Sequence, residues 1–308
     1  MNSRERVWKV GAMVAGFSAA AMLHAAENVM QRPFAQTAVV PPVGTWVITP
    51  WYEYTEFFHY YTGGRKVDIE TMAEEDSHGF DQNDGVVEFQ WGFKENFAAD
   101  FTVGYTSAAT RSFTADAPDV RKTSGLSDIT FGVRYQLLRE AEDPAGWKPS
   151  LSFRAGGIYT GSYDKDFPFA PGNGSVGIEP SLAAIKHFGW EGFGAFSSVG
   201  YRYMRSGGHD QWFAELGVQQ EIKQWTFQVG FRHLANTGGR DIQGTPPTIN
   251  YSRQIHEVME QLEGGVSYTD KKHRLYQFYL RKTFDGNNTA DALVFGIFAS
   301  FPLSAQMH

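Results

Sequence analysis

No cysteine occurs in the 308 residues, so no disulfide framework supports the fold and no thiolate is available for metal binding or covalent catalysis. Long apolar runs are equally scarce. Beyond the N-terminus no stretch approaches the roughly 20 consecutive apolar residues of a membrane-spanning helix, and the mean hydropathy is -0.36. Basic residues are in deficit: 27 Lys and Arg against 34 Asp and Glu leave a net charge of -7, which disfavours nucleic acid as a partner. What is abundant is aromatic side chains, 15% of the chain, and glycine, at 33 residues. That combination suits a β-structure with aromatic girdles and close strand packing.

The first residues read as an address. Arg4, Arg6 and Lys9 precede an uncharged, largely apolar run from Val10 to Leu23, the pattern of a secretory signal. A membrane anchor is the competing view, but a run of about 14 residues is too short to cross the bilayer. A small-residue cleavage site falls near Ala25, which gives a signal peptide over residues 1–25. An exported chain without disulfides or a spanning helix is then either a soluble periplasmic protein or a transmembrane barrel.

Alternation decides between them. Between Leu126 and Leu138, residues Ile129, Phe131, Val133, Tyr135 and Leu137 share one face, while Asp128, Thr130, Gly132, Arg134 and Gln136 share the other, as the two-residue period of a strand requires. The beat recurs through Val87 to Phe93, Phe101 to Tyr105, Leu151 to Ala155, Phe193 to Tyr201, Trp212 to Val218, Trp225 to Phe231, Leu262 to Tyr268 and Tyr276 to Leu280. With a first strand near Trp46 to His59, one from Ser175 to His187 and a last from Leu293 to Phe301, the count is about twelve, even as in bacterial barrels. Connections alternate in length. Short ones at Lys94 to Asn96, Gly189 to Glu191, Lys223 to Gln224 and Asp270 to Lys272, with a longer Arg139 to Gly146, are separated by long ones at Thr62 to Asp84, Ala108 to Ser124, Gly161 to Gly174 and Ala235 to Glu257. Short periplasmic turns and long external loops are the rule in outer-membrane barrels, and strand propensity alone would not generate this phase. The fold class is therefore all-β, an antiparallel up-and-down transmembrane barrel over residues 44–302, with a C-terminal tail at 303–308. Residues 26–43, with Pro33, Pro41 and Pro42, lack alternation and form a periplasmic tail or a short plug.

The run Gly125-Leu126-Ser127-Asp128-Ile129 with Gly132, Arg134 and Tyr135 resembles the Gly-Leu-Gly-Asp strand of a bacterial outer-membrane family named for the meta-pathway of phenol degradation, with Ser127 in place of the usual Gly. Pro171-Gly172-Asn173-Gly174-Ser175, leading into Pro180-Ser181-Leu182-Ala183, is similar to that family's glycine-rich loop before a strand of small residues. The resemblance covers the middle third of the chain. It implies an outer-membrane channel for small organic or aromatic compounds.

The polar face assigns the lumen. Acids Glu88, Asp100, Asp128, Glu179, Glu215 and Glu263 face inward together with Arg134, Arg154, Arg202, Arg232 and Arg281, because an Arg on the lipid face at mid-bilayer costs about 2 to 4 kcal/mol. These charges either line a selective path or pair across strands and close the interior, and their near-equal numbers disfavour a strongly ion-selective pore. Phe196, Phe213 and Tyr279 also fall on the inward face, as an apolar ligand site or as filling for a narrow barrel. The run His233-Leu234-Ala235-Asn236 resembles the His-x-Ser-Asn signature of lipid A deacylases, but Ala235 stands at the nucleophile position and leaves a base nothing to activate. Acidic residues Asp68, Glu70, Glu74, Glu75, Asp76, Asp81 and Asp84 crowd the first long loop without calcium-loop spacing. The Thr-Gly-Gly-Arg runs at Thr62 to Arg65 and Thr237 to Arg240 read as strand-exit turns.

These features point to a passive outer-membrane channel for a small organic solute that needs no cofactor or metal. Its other partners are outer-membrane lipid and lipopolysaccharide. A closed structural or adhesive barrel acting through its loops is the alternative, with a lipid hydrolase the weakest reading.

Overall fold

The computed structural model describes residues 38–68, 79–111, 120–140, 146–165, 167, 170, 172, 174–188, 192–205, 208–242 and 255–304. Fifteen strands follow one another: β1 (Thr45–Phe57), β2 (His59–Thr62), β3 (Arg65–Asp68), β4 (Phe80–Lys94), β5 (Phe97–Arg111), β6 (Val120–Leu126), β7 (Ile129–Leu138), β8 (Ser150–Tyr159), β9 (Gly177–His187), β10 (Phe193–Met204), β11 (Gln211–Ile222), β12 (Trp225–Asn236), β13 (Val258–Thr269), β14 (Leu275–Asn287) and β15 (Leu293–Ser304). Apart from the β2–β3 hairpin, each pairs antiparallel with its neighbours, and the β1–β15 and β1–β4–β5 pairings close the sheet on itself. Strands β6 and β7 run along successive halves of β5 and act as one wall strand, so the closed barrel has twelve.

The junction between β6 and β7 shows why one wall strand is broken. Leu126 lies opposite Tyr105 and Thr130 opposite Thr102, so three residues, Ser127 to Ile129, face only Val103 and Gly104. The extra residue is a bulge that inverts the side-chain phase. Leu126 and Phe131, separated by an odd interval, both reach the outer face. Alternation is therefore not continuous from Leu126 to Leu138 but restarts at Ile129.

The two faces of the wall differ as the alternation requires. Phe101, Phe131, Val133, Leu216, Val229, Phe278 and Ile297 are exposed outside, whereas Glu53, Asp100, Arg134, Arg154, Glu215, Glu263 and Arg281 are buried inside. A continuous apolar outer belt of this kind is stable only against hydrocarbon. Trp46 and Trp91 stack at 5.5 Å near one rim, and Trp225 lies 5.1 Å from Tyr268 in the same rim region, where amphipathic rings meet the membrane interface.

Turns at that end are tight. Asn96, Lys223 and His273 adopt the left-handed conformation, with φ of 63°, 58° and 58°, which fits short antiparallel hairpins. Residues 38–42 enter the barrel there. The Val40 amide donates to Gln136 Oε1 at 2.8 Å, and Gln136 Nε2 donates to the Ala38 carbonyl at 2.7 Å. Ala38 packs with inward Ala183, Ile185 and Phe196. Gly92 lacks a side chain because a Cβ there would lie 2.4 Å from the Pro41 carbonyl oxygen and 2.3 Å from that of Pro42.

At the opposite end the connections are long, and parts of them fold inward. Gly63 and Gly64, with φ of 54° and 77°, make the two-residue turn of the β2–β3 hairpin, in which Thr62 faces Arg65. This first Thr-Gly-Gly-Arg run is thus a hairpin turn rather than a strand exit. Tyr60 of that hairpin is buried with Phe57, Phe80, Phe167, Ile242 and Ile255 in an apolar cluster that also takes in Ala108 and Ala292. Most of the acidic run from Asp68 to Asp76 lies outside the described residues.

Candidate functional site: a charge-lined lumen between two closures

Each wall strand except β15 contributes at least one charged side chain to the interior: Glu53 on β1, Glu88 on β4, Asp100 on β5, Arg134 on β7, Arg154 on β8 and Glu179 on β9, then Arg202, Glu215, Arg232, Glu263 and Arg281 on β10 to β14, with Asp84 on β4 and Glu221 on β11 further along the same face. Register explains how they meet. Asp100, Gly132, Gly156 and Glu179 lie directly opposite one another on four adjacent strands. The Arg154 guanidinium lies flat over the two glycines, where a Cβ would come within 2.9 Å at Gly132 and 2.2 Å at Gly156. It binds the acids at both ends of that row, Asp100 Oδ1 at 2.6 Å and Glu179 Oε1 at 3.1 Å. Glu179 Oε2 continues the chain to Arg202 Nε at 2.5 Å. A charge removed from water this completely is tolerable only with such bidentate, fully directed partners.

The opposite wall repeats the logic. Arg281 donates to Glu53 Oε1 at 3.0 Å and Glu263 Oε2 at 3.1 Å. The Tyr279 hydroxyl donates to the same Glu53 oxygen. Arg232 stands directly opposite Glu215 in the register, and Arg134 has Glu88 and Asp100 as its electrostatic neighbours. Around the belt, three successive acids (Glu53, Glu88 and Asp100) and two successive arginines (Arg134 and Arg154) are followed by alternation of sign from Glu179 to Arg281, and most of these groups are buried.

The inward aromatics are placed by glycine. Tyr279 faces Gly296, Phe196 faces Gly217, and Phe213 faces Gly200 across neighbouring strands. In each pair the ring covers its glycine so closely that a Cβ would meet ring carbon at 2.0, 2.0 and 2.2 Å. Each ring thus packs on the backbone of the neighbouring strand and shields it. Phe213 also receives the Arg202 guanidinium over its face at 5.0 Å.

Asp128 has a different task from the other acids. Its Oδ1 accepts from the Gly161 amide at 3.0 Å and the Tyr163 hydroxyl at 2.8 Å. The same Tyr163 oxygen accepts from the Gly174 amide at 2.8 Å. Leu126 and Ser162 exchange two further bonds, Ser162 N to Leu126 O at 2.9 Å and Leu126 N to Ser162 Oγ at 2.8 Å. The bulged 125–128 segment and the glycine-rich loop thus form one joint. Gly125, Gly161 and Gly172 carry no side chain at points where a Cβ would lie 2.7, 2.0 and 2.5 Å from its atoms. Sequence reasoning found both motifs but not their contact, which needs three-dimensional register.

A second anchor was not foreseen. Asn288 Oδ1 accepts from the Gly63 and Ile242 amides at 3.1 and 2.9 Å, while its Nδ2 donates to Asp241 Oδ1 and the His256 carbonyl at 2.9 and 2.8 Å. Three residues on, Asp291 binds Lys66 Nζ at 2.5 Å and also Lys282. Burial alone would raise the Asp291 carboxyl, but the hydrogen bonds from Lys282 and Lys66 outweigh it and hold the group below the usual range. One short turn thereby fastens the inward hairpin and the 240–257 connection to the wall.

Between the loop layer and the belt lies a cavity of about 310 Å³, lined by Phe57, Phe80, Ile255 and Met259 together with polar Arg202, His209, Gln211, Asn236 and Glu257. His233 is elsewhere. It lies on the outer side of β12 with its ring 4.4 Å from that of Trp212 and Nδ1 3.5 Å from Glu260 Oε1. Among the described residues no group of three or more potential metal ligands clusters.

A twelve-stranded barrel with an apolar exterior and a charged interior is an outer-membrane protein. Residues 55–296 match the family described as "Putative MetA-pathway of phenol degradation", and the chain belongs to that family. No curated protein matches it. Among solved structures, an outer membrane channel from Pseudomonas putida F1 superposes with a TM-score of 0.65 at 14% identity, covering 89% of this chain and 100% of that one. The transport unit of the autotransporter AIDA-I from Escherichia coli gives a TM-score of 0.48 at 9% identity, covering 93% and 97%. The first likeness supports the barrel architecture.

Proposed function

We propose that this chain is an outer-membrane channel for the passive uptake of a small organic solute, closed at rest. The carrying observation is that both mouths are occupied by segments that are not part of the wall. Residues 38–42 occupy the tight-turn end and the β2–β3 hairpin with its loop partners the other, so opening needs no break in the barrel ladder. The belt carries six acids, Glu53, Glu88, Asp100, Glu179, Glu215 and Glu263, against five arginines, which favours no ion of one sign. In such a channel Glu88, Asp100, Arg134, Arg154, Glu179, Arg202, Phe213, Glu215, Arg232, Glu263, Tyr279 and Arg281 line or narrow the path, and Asp128 sets the loop above it. Lipid and lipopolysaccharide surround the wall.

Planar-bilayer recording and liposome flux test this reading. The wild-type barrel is expected to conduct weakly. Gln136→Ala removes two hydrogen bonds to the 38–40 segment and is expected to raise mean conductance several-fold. Absence of solute flux through both proteins, folded and inserted, would exclude a channel. The buried belt also fits the second reading, a closed barrel acting through its loops. There, loss of residues 67–80 would abolish partner binding with no permeability to lose. For a hydrolase the geometry offers His233 a carboxylate and an indole, with Ala235 two residues on.

A further inference from the structure

Below the charged belt lies a second inward ring of different character. Four residues nearer the tight-turn end than the belt charges of β1 and β10 to β14, the same inward face presents Thr49, Ser198, Gln219, Gln228, Ser267 and Gln277, which bear hydroxyls and amides and no charge. All are buried. Hydrogen-bonding capacity at this level is left over. Among the described residues, Gln277 Nε2, Ser198 Oγ, Gln90 Oε1 and the Nε and Nη1 of Arg134 are buried without a hydrogen-bond partner. They come from β14, β10, β4 and β7, which are spread around the cylinder. Gln228 Nε2 and Gln277 Nε2 converge over Gly265, 2.8 and 3.0 Å from where a Cβ would stand, so two amide donors point into one space that suits a shared oxygen acceptor.

A buried donor or acceptor left unmatched is costly, and an arginine cannot escape the cost by losing its proton. Water meets such groups where there is room for it. Room follows from the strand number. About eight strands enclose an interior that side chains fill and about sixteen hold an aqueous channel, so a twelve-stranded wall leaves space along its axis. Polar lining also continues toward both mouths. On the inward face of β11, Gln211 borders the cavity under the loop layer, Glu215 belongs to the belt and Gln219 to the lower ring. Gln219 Nε2 lies 3.2 Å from Glu221 Oε1 and 3.4 Å from His187 Nε2, and both of those side chains are partly exposed at the tight-turn mouth. Residues 38–42 cross a neighbouring arc, where their contacts fall on β4, β7, β9 and β10.

We infer that the barrel conducts water while at rest. A file of water held by the amide and hydroxyl ring links the cavity under the loop layer to the tight-turn mouth, exchanging bonds with lining groups as it moves, while the ion-paired belt and the two closures hold back anything larger. Neither closure has to move, so this activity is independent of solute uptake.

Stopped-flow light scattering of proteoliposomes shrinking in excess sucrose, beside protein-free vesicles of the same lipid, tests it. Wild-type vesicles are expected to shrink at least threefold faster than protein-free ones and to stay shrunken, because sucrose does not follow. Gln228→Leu combined with Gln277→Leu replaces both converging amides by apolar groups of similar size and is expected to remove more than half of the protein-dependent rate per inserted barrel. Ser198→Val, from another part of the ring, should act in the same direction, and Gln277→Asn, which keeps an amide, should retain most of the rate. Heat-modifiable electrophoretic migration verifies that each variant is a folded barrel. Shrinkage no faster than in protein-free vesicles, or a double variant as fast as wild type, would overturn the conduit. So would re-swelling as fast as shrinkage, since an open pore would then carry water and sucrose alike. Resting water flux in a barrel that passes no solute even as Gln136→Ala leaves the conduit standing and removes the channel, whereas solute flux through Gln136→Ala without resting water flux in wild type does the reverse.

Discussion

At the residue scale, the interior is a set of side chains whose charges and shapes are fixed by what stands on the next strand. Arg281 joins Glu53 and Glu263, so Arg281→Met takes from two buried carboxylates the cation they share. Such a break costs about 3 to 5 kcal/mol, measured as a lower urea midpoint for refolding into lipid vesicles. Adding Glu53→Gln and Glu263→Gln is expected to restore most of the loss. Gly296→Ala drives a methyl toward the Tyr279 ring, where a Cβ would lie 2.0 Å from Cζ, and overpacking of this kind costs about 1 to 3 kcal/mol. The sequence already placed Arg154 and Glu179 on the inward face by parity. It could not show that Gly132 and Gly156 make room for the guanidinium between two acids, nor that Phe196, Phe213 and Tyr279 each cover a particular glycine. Both facts depend on strand register, which alternation leaves free.

At the element scale, two joints organise the loop end. Asp291 holds the inward hairpin through Lys66 and the wall through Lys282, and its carboxyl is held below the ordinary 3.8. A depressed folded value means that the latch contributes its full stability above the unfolded pKa and loses it as pH falls through the lower, folded one. Channel openings are therefore expected to be more frequent at pH about 3 than at pH about 6, the drop from one to the other spanning the carboxylate range. Asp291→Asn recorded at the higher pH should match the acid behaviour of wild type. At the other joint, Asp128→Ala removes the acceptor shared by Gly161 and Tyr163, and faster amide hydrogen exchange over residues 161–164 is the expected signature. Sequence patterning located these loops because Gly, Pro and acidic residues interrupt the alternation. The bulge at Ser127–Asp128 escaped it, since one inserted residue restores the same alternating text on either side. The β2–β3 hairpin escaped it too, because a four-residue strand is too short to display a period.

At the scale of the whole molecule, twelve wall strands, inverted polarity and alternating loop lengths were all legible, because a membrane imposes them on every strand alike. Where the two mouths are filled was less so, since that depends on non-repeating segments. Val229 is 58% exposed on the outer belt, and Val229→Arg is expected to cost about 2 to 4 kcal/mol in vesicle refolding. The same substitution in a detergent with a soft, hydrated boundary should cost less, a contrast that identifies lipid as the medium outside. The last feature concerns the seam. Strands β1 and β15 complete the cylinder, with Thr45 opposite Ser304 and Glu56 opposite Leu293. Until they zip together, both margins present bare amides and carbonyls that hydrocarbon cannot satisfy. Membrane entry must therefore wait for the carboxy-terminal strand, and an assembly machine that grips β15 would control the timing of every earlier strand.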